Sequence, residues 1–187
     1  MVPDVKEVLE MPAFPRAEME EMMRRWLAAN AQAEDAGDWR GLADHYTEDA
    51  EYLWNLGPNE DFVARGRQQI RDWVMGTEME GLDGWQYPYD AVLIDEQRGE
   101  VVAFWRQVAP ATRPDGMPYE IKGIGGSWFR YGGNYRWSWQ RDFFDFGNAM
   151  ACFMELIQAG KLSAPMQKRI ERAMAGEVMP GHVKHEG

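Results

Sequence analysis

Apolar residues recur at three- and four-residue steps from position 19. Met19, Met22, Met23, Trp26 and Leu27, with Asn30 on the same face, predict a helix over about 16–33. Pro15 suits its first turn, and Asp35 with Gly37 marks its stop. Asp38 is then expected to cap a second short helix that carries Trp39, Leu42, Ala43 and Tyr46 on one side. At Ala50–Asn55 the period changes to two, and Ala50, Tyr52 and Trp54 share a strand face that ends at Gly57, Pro58 and Asn59. A third helix is expected over 67–76, with Ile70, Trp73 and Val74 inward.

Strands follow at about 85–95, 100–109, 118–131 and 134–146, joined by turns at Glu96–Gly99, Arg113–Gly116 and Gly132–Asn134. Alternation along the last strand puts Gln140, Asp142 and Phe144 on one face and Trp137, Trp139 and Phe143 on the other. Two helices end the pattern: Ala149–Ala159, with Met150, Phe153, Met154 and Ile157 on one side, and a segment from the cap Ser163 to about Met174 bearing Met166 and Ile170. Residues 1–14 read as an arm, 15–147 as the domain, and 148–187 as a helical extension whose last ten or so residues fray. The order of elements predicts an α+β fold in which helices cover one face of a curved, mostly antiparallel sheet.

Composition narrows the function classes. The 187 residues fit one domain, and a net charge of −11 argues against nucleic acid as the main partner, which needs clustered cations. Nine Trp, seven Tyr and eight Phe supply a large core without staples. Cys152 is the lone cysteine, so the chain can form no intrachain disulfide and no thiolate zinc cage. No apolar run of about 18 residues predicts a membrane span. The opening Met-Val-Pro-Asp-Val-Lys-Glu lacks the secretory pattern, so a cytoplasmic location is expected. Acidic residues are many, yet none follow a metal-binding spacing, and no cofactor is expected. The stretch Lys122–Ser127 looks like a phosphate loop but lacks the following helix, and it reads as a bend in a strand.

Several short segments, in their order and spacing, resemble the nuclear transport factor 2-like superfamily and, within it, the SnoaL-like group of polyketide-cyclase-type proteins. They are Ala36-Gly37-Asp38-Trp39, Tyr46 to Tyr52, Gly66 with Ile70 and Trp73, and Trp128 to Gly133. Arg141 to Asp145 is similar to the closing strand of limonene epoxide hydrolases. The likeness spans about 16–147. It implies a cone-shaped barrel, a strongly curved mixed sheet wrapped round helices with a blind apolar pocket. The superfamily includes isomerases, dehydratases, cyclases, epoxide hydrolases and non-catalytic domains, so the fold leaves the function open.

Carried over residue by residue, the likeness places Trp54 where ketosteroid isomerases hold their carboxylate base, with Asn30 and Ser127 near the two oxyanion donors. A tryptophan cannot take a proton from a carbon acid. Against the epoxide hydrolases, Tyr52 and Asp142 match, but Trp54, Trp105 and Gln107 stand where polar catalytic groups are needed. A one-residue slip of that strand would instead turn Arg106 inward. SnoaL-type cyclases use an acid/base Asp late in the sheet, and Asp142 is the matching position. Two readings of Asp142 stand: a carboxyl raised in pKa by a wall of Trp54, Trp105 and Phe144, or a sheet residue paired with Arg106, Arg130 or Arg141. Tyr52 is either a site hydroxyl or a core tyrosine. His45 lies roughly 100° off the apolar face of its helix and reads as partly exposed.

The expectation is a cofactor-independent acid/base enzyme, an isomerase, cyclase, dehydratase or hydrolase, acting on a small hydrophobic cyclic compound of steroid, terpenoid or polyketide type. Asp142 and Tyr52 would be catalytic, and Asn30, Trp54, Trp105, Gln107, Ser127 and Phe144 would bind the substrate. The alternative is a non-catalytic ligand-binding or homodimerising accessory domain. If Asp142 faces inward, Trp137, Trp139 and Phe143 face outward, where a homodimer contact would cover them.

Overall fold

The computed structural model describes residues 14–57 and 59–185, so most of the expected arm (1–13) and Pro58 of the first turn lie outside the described residues. Helix α1, Arg16–Ala36, buries Met19, Met22, Met23, Trp26, Asn30 and Ala33, the stripe its period predicts. It stops at Gly37, whose φ of 64° is a left-handed cap. The second helix is a 3-10 segment, Arg40–His45, and Tyr46 already belongs to the next strand.

Strand β1, Tyr46–Gly57, turns back into β2, Glu60–Arg65, a strand the sequence pattern did not predict. The third helix begins with an α turn, Arg67–Gln69, and continues as a π-helix, Ile70–Glu78. That wide winding buries Ile70, Val74, Met75, Gly76 and Glu78. Then come β3, Tyr89–Asp95; β4, Glu100–Trp105; β5, Gln107–Thr112; β6, Pro118–Ile121; β7, Gly125–Tyr131; and β8, Trp137–Phe144. Helices α2, Phe146–Gln158, and α3, Ala164–Met174, precede a short strand β9, His182–Lys184.

Seven strands form one mixed sheet in the order β3-β4-β7-β8-β1-β2-β9, in which only β1 and β8 run parallel. The sheet is curved but not closed, with β3 and β9 as its edges. Strands β5 and β6 form a separate pair. The two long strands expected at 100–109 and 118–131 are therefore each broken, at Arg106 and across 122–124. Gly123 at φ 96° makes the second break, the bend expected of the glycine-rich stretch. Of the strand expected at 85–95, residues 85–88 lie outside, tied by a bridge from Gln86 to Val108 and a bond from Arg106 N–H to the Pro88 carbonyl.

Two further corrections bear on the site. Arg130 pairs with Trp139 while Tyr131 pairs with Trp137, so Ser138 is an extra residue in β8 and the strand changes face there. Trp137 is thus turned inward, stacked on Phe129 at 4.6 Å and fully buried, not on the outer face. The C-terminal residues expected to fray instead lie against the body: Met179 is buried and β9 pairs with β2 through Phe62 and His182.

Candidate functional site

A cavity of about 540 Å³ lies between the concave side of the sheet and helices α1, α2 and α3. Its wall is mostly apolar, and exposed Phe146, Met150 and Met174 mark its rim. All eight residues singled out in the sequence, Asn30, Tyr52, Trp54, Trp105, Gln107, Ser127, Asp142 and Phe144, line it. Trp105 faces in while Arg106 is exposed and paired with Asp90, so the strand has not slipped.

The sheet builds a polar floor. Ser127 and Asp142 are register partners on β7 and β8, and Tyr52 faces Gln140 across the parallel β1–β8 ladder. Asp142 Oδ1 accepts from Ser127 Oγ at 2.6 Å and Gln140 Nε2 at 2.7 Å, and Oδ2 accepts from the Tyr52 hydroxyl at 2.5 Å. Gln140 Nε2 also lies 2.9 Å from the Tyr52 hydroxyl, and its Oε1 accepts from Tyr46. Trp105 Nε1 donates to Ser127 Oγ at 2.9 Å. Arg106, Arg130 and Arg141 reach Asp90, Glu100 and Asn55 instead, so the salt-bridge reading of Asp142 falls.

Burial raises the Asp142 pKa, and the Ser127, Tyr52 and Gln140 donors only partly offset it. Burial and the nearby Asp142 carboxyl push Tyr52 well above a normal phenol. Asn30 and Gln107 spend amide protons within the protein, on the Trp26 carbonyl at 2.8 Å and the Tyr87 hydroxyl at 3.1 Å. Trp54 stacks on Phe62 at 3.8 Å.

The donors left for a ligand are on residues not singled out in the sequence. The hydroxyls of Tyr87 and Tyr89 accept from Gln107 Nε2 and Trp26 Nε1, which leaves both phenolic protons uncommitted beside the cavity. Burial raises both pKa values, so these groups stay protonated. The indole N–H of Trp39, another wall residue, has no hydrogen-bond partner among the described residues.

A second polar group sits at the helical end. Glu78 ends the π-helix, Arg169 lies on α3 and His182 on β9. Arg169 donates to both the carbonyl and Oε2 of Glu78. None of these three was singled out, because a glutamate beyond an expected helix end and a histidine in a polar tail carry no periodic signal. His45 is partly exposed, edge-on to Trp26 at 6.0 Å, and outside the cavity wall. Among the described residues, no cluster of three His, Cys, Asp or Glu side chains is placed to hold a metal ion. No helix there is long and apolar enough to cross a membrane.

The family model described as the SnoaL-like domain matches residues 15–147. Solved structures share the fold. A putative SnoaL-like polyketide cyclase from Jannaschia sp. CCS1 is 16% identical with a TM-score of 0.55, over 80% of this chain and 94% of its own. A phenazine biosynthesis-related protein from Pseudomonas aeruginosa is 12% identical with a TM-score of 0.55, over 81% and 86%. The protein TerC, crystallised with polyporic acid, is 18% identical with a TM-score of 0.50, over 75% and 98%. No curated protein matches the chain at a significant level.

Proposed function

Because the chain belongs to the SnoaL-like domain family, we propose that it takes a small, mostly apolar cyclic molecule into its cavity and moves a proton on it with Asp142. The supporting observation is an enclosed carboxyl of raised pKa at the floor of an aromatic cavity, with uncommitted phenol donors in the same wall.

A ligand carbonyl or hydroxyl oxygen accepts from Tyr87 or Tyr89, which stabilises charge that develops there. Asp142 takes or gives the proton on the ring, and Tyr52 turns its hydroxyl from Asp142 to free one carboxyl oxygen. Trp54, Trp105 and Phe144 exclude water and hold the ring. That a structural neighbour was crystallised with polyporic acid, and that others are a putative polyketide cyclase and a phenazine biosynthesis-related protein, favours aromatic or polyketide-like ligands.

The test is turnover and binding by wild type and Asp142→Asn over a panel of cyclic ketones and hydroxylated polycycles. Loss of one acid/base group lowers turnover about 10²–10⁴-fold, with affinity little changed. Bound ligands that wild type never turns over would sink the catalytic reading.

That outcome would select the second reading, a non-catalytic ligand-binding domain. It is favoured by one observation: both Asp142 oxygens are already occupied by protein donors. For assembly, we propose a homodimer through the outer sheet face, now without Trp137. Half-buried Phe104, Trp128, Trp139 and Phe143 lie there, with exposed Leu93 on the edge strand. Sedimentation of wild type against Leu93→Lys/Trp139→Glu checks it, and a monomeric wild type overturns it.

A further inference from the structure

At the helical end of the cavity two polar atoms face each other without a bond. Glu78 is 5% exposed, and its Oε2 is taken by Arg169 while its Oε1 has no hydrogen-bond partner among the described residues. His182 Nε2 is equally shielded and unpartnered, 3.5 Å from Glu78 Oε1, and both residues line the cavity. A buried carboxylate oxygen without a donor costs about 1–3 kcal/mol or more. A native fold retains such an atom where something else satisfies it.

The surroundings fix these groups from every side. Arg169 on α3 anchors Glu78 with two donors, Glu60 Oε1 lies 3.4 Å from His182 Nδ1, and Phe62 packs edge-on to the imidazole at 6.1 Å. The pair is held from outside, and both residues belong to the cavity wall.

We infer that Glu78 and His182 form a second ligand-binding site that takes a hydroxyl group. The hydroxyl donates to Glu78 Oε1, and its oxygen accepts from His182 Nε2–H. A chain of aromatic contacts, Tyr52 to Trp54 at 5.7 Å, Trp54 to Phe62 at 3.8 Å and Phe62 to His182 at 6.1 Å, separates this site from the floor. Two residues along β1 and two strand spacings across make that roughly 12 Å between backbone positions. The ligand class is therefore an elongated, flat molecule with oxygen functions at both ends. This inference rests on the reading that the cavity holds a small molecule and adds its second recognition group.

Binding of 4-hydroxybiphenyl, 4,4′-dihydroxybiphenyl and the two p-terphenyl counterparts, followed by quenching of tryptophan fluorescence, tests it. In wild type the second hydroxyl of the better-fitting length tightens binding about 10- to 100-fold, the range for a hydrogen bond to a charged group. Glu78→Gln and His182→Leu each abolish that ratio and leave the affinity for the monohydroxyl probe within about threefold. A structural role alone would move both probes together, and thermal melts of both variants show whether they fold. A ratio near one in wild type, with the monohydroxyl probe still bound, overturns this inference and leaves the cavity reading intact. Failure of every probe to bind overturns both.

Discussion

The two ends of the cavity differ in how their polar groups are paired. At the sheet floor, Asp142, Tyr52, Ser127 and Gln140 bond to one another, and Tyr46 and Trp105 close the network. At the helical end, Glu78 Oε1 and His182 Nε2 lie 3.5 Å apart, and neither has a hydrogen-bond partner among the described residues. A saturated network fixes positions and pKa values, because no member can move without breaking several bonds. An unsaturated pair keeps capacity for a ligand at the expense of stability. The floor is thus the more rigid end, where the proposed function places the proton transfer, and the helical end is where the second inference places recognition.

The largest effect that separates them is on stability. Gln140→Leu leaves the Tyr46 hydroxyl without its acceptor and removes a donor from Asp142, so global stability falls by about 2–4 kcal/mol. His182→Leu removes no formed hydrogen bond and lies at a sheet edge, so the loss is about 1 kcal/mol or less. Urea unfolding of both variants measures the difference. Equal losses would break the contrast.

The same contrast explains what the sequence made legible. Floor residues sit on strands, where alternation assigns a face, so Tyr52 with Trp54 and Gln140 with Asp142 and Phe144 were placed correctly. Alternation fails wherever a residue is inserted, and the extra Ser138 turned Trp137 from the outer face to the core. The breaks at Arg106 and 122–124 were hidden because each half still alternates. The helical end is assembled from positions 78, 169 and 182, and its register depends on a π-helix that a 3.6-residue period does not describe. The placement of His182 beside Glu78 follows from pairing of β9 with β2, a long-range contact that no local pattern encodes. Tyr87 and Tyr89 were visible as aromatics, but their free protons follow from which neighbours donate to them.

A smaller effect sharpens the floor alone. Asp142 has its folded-state pKa raised from 3.8, with burial as the main cause. Below the unfolded value the group is protonated in both states and its contribution to stability is complete. As pH rises through the raised folded value, ionisation in the fold lags behind ionisation in the unfolded chain, and stability is lost. Asparagine cannot ionise, so the stability of wild type relative to Asp142→Asn should fall from about pH 4 upward and then level off. Urea unfolding of both proteins across pH 3–8 measures it. A difference that instead grows with pH would mean that Ser127, Tyr52 and Gln140 outweigh burial and hold Asp142 as a carboxylate, which suits a ligand anchor better than a proton carrier.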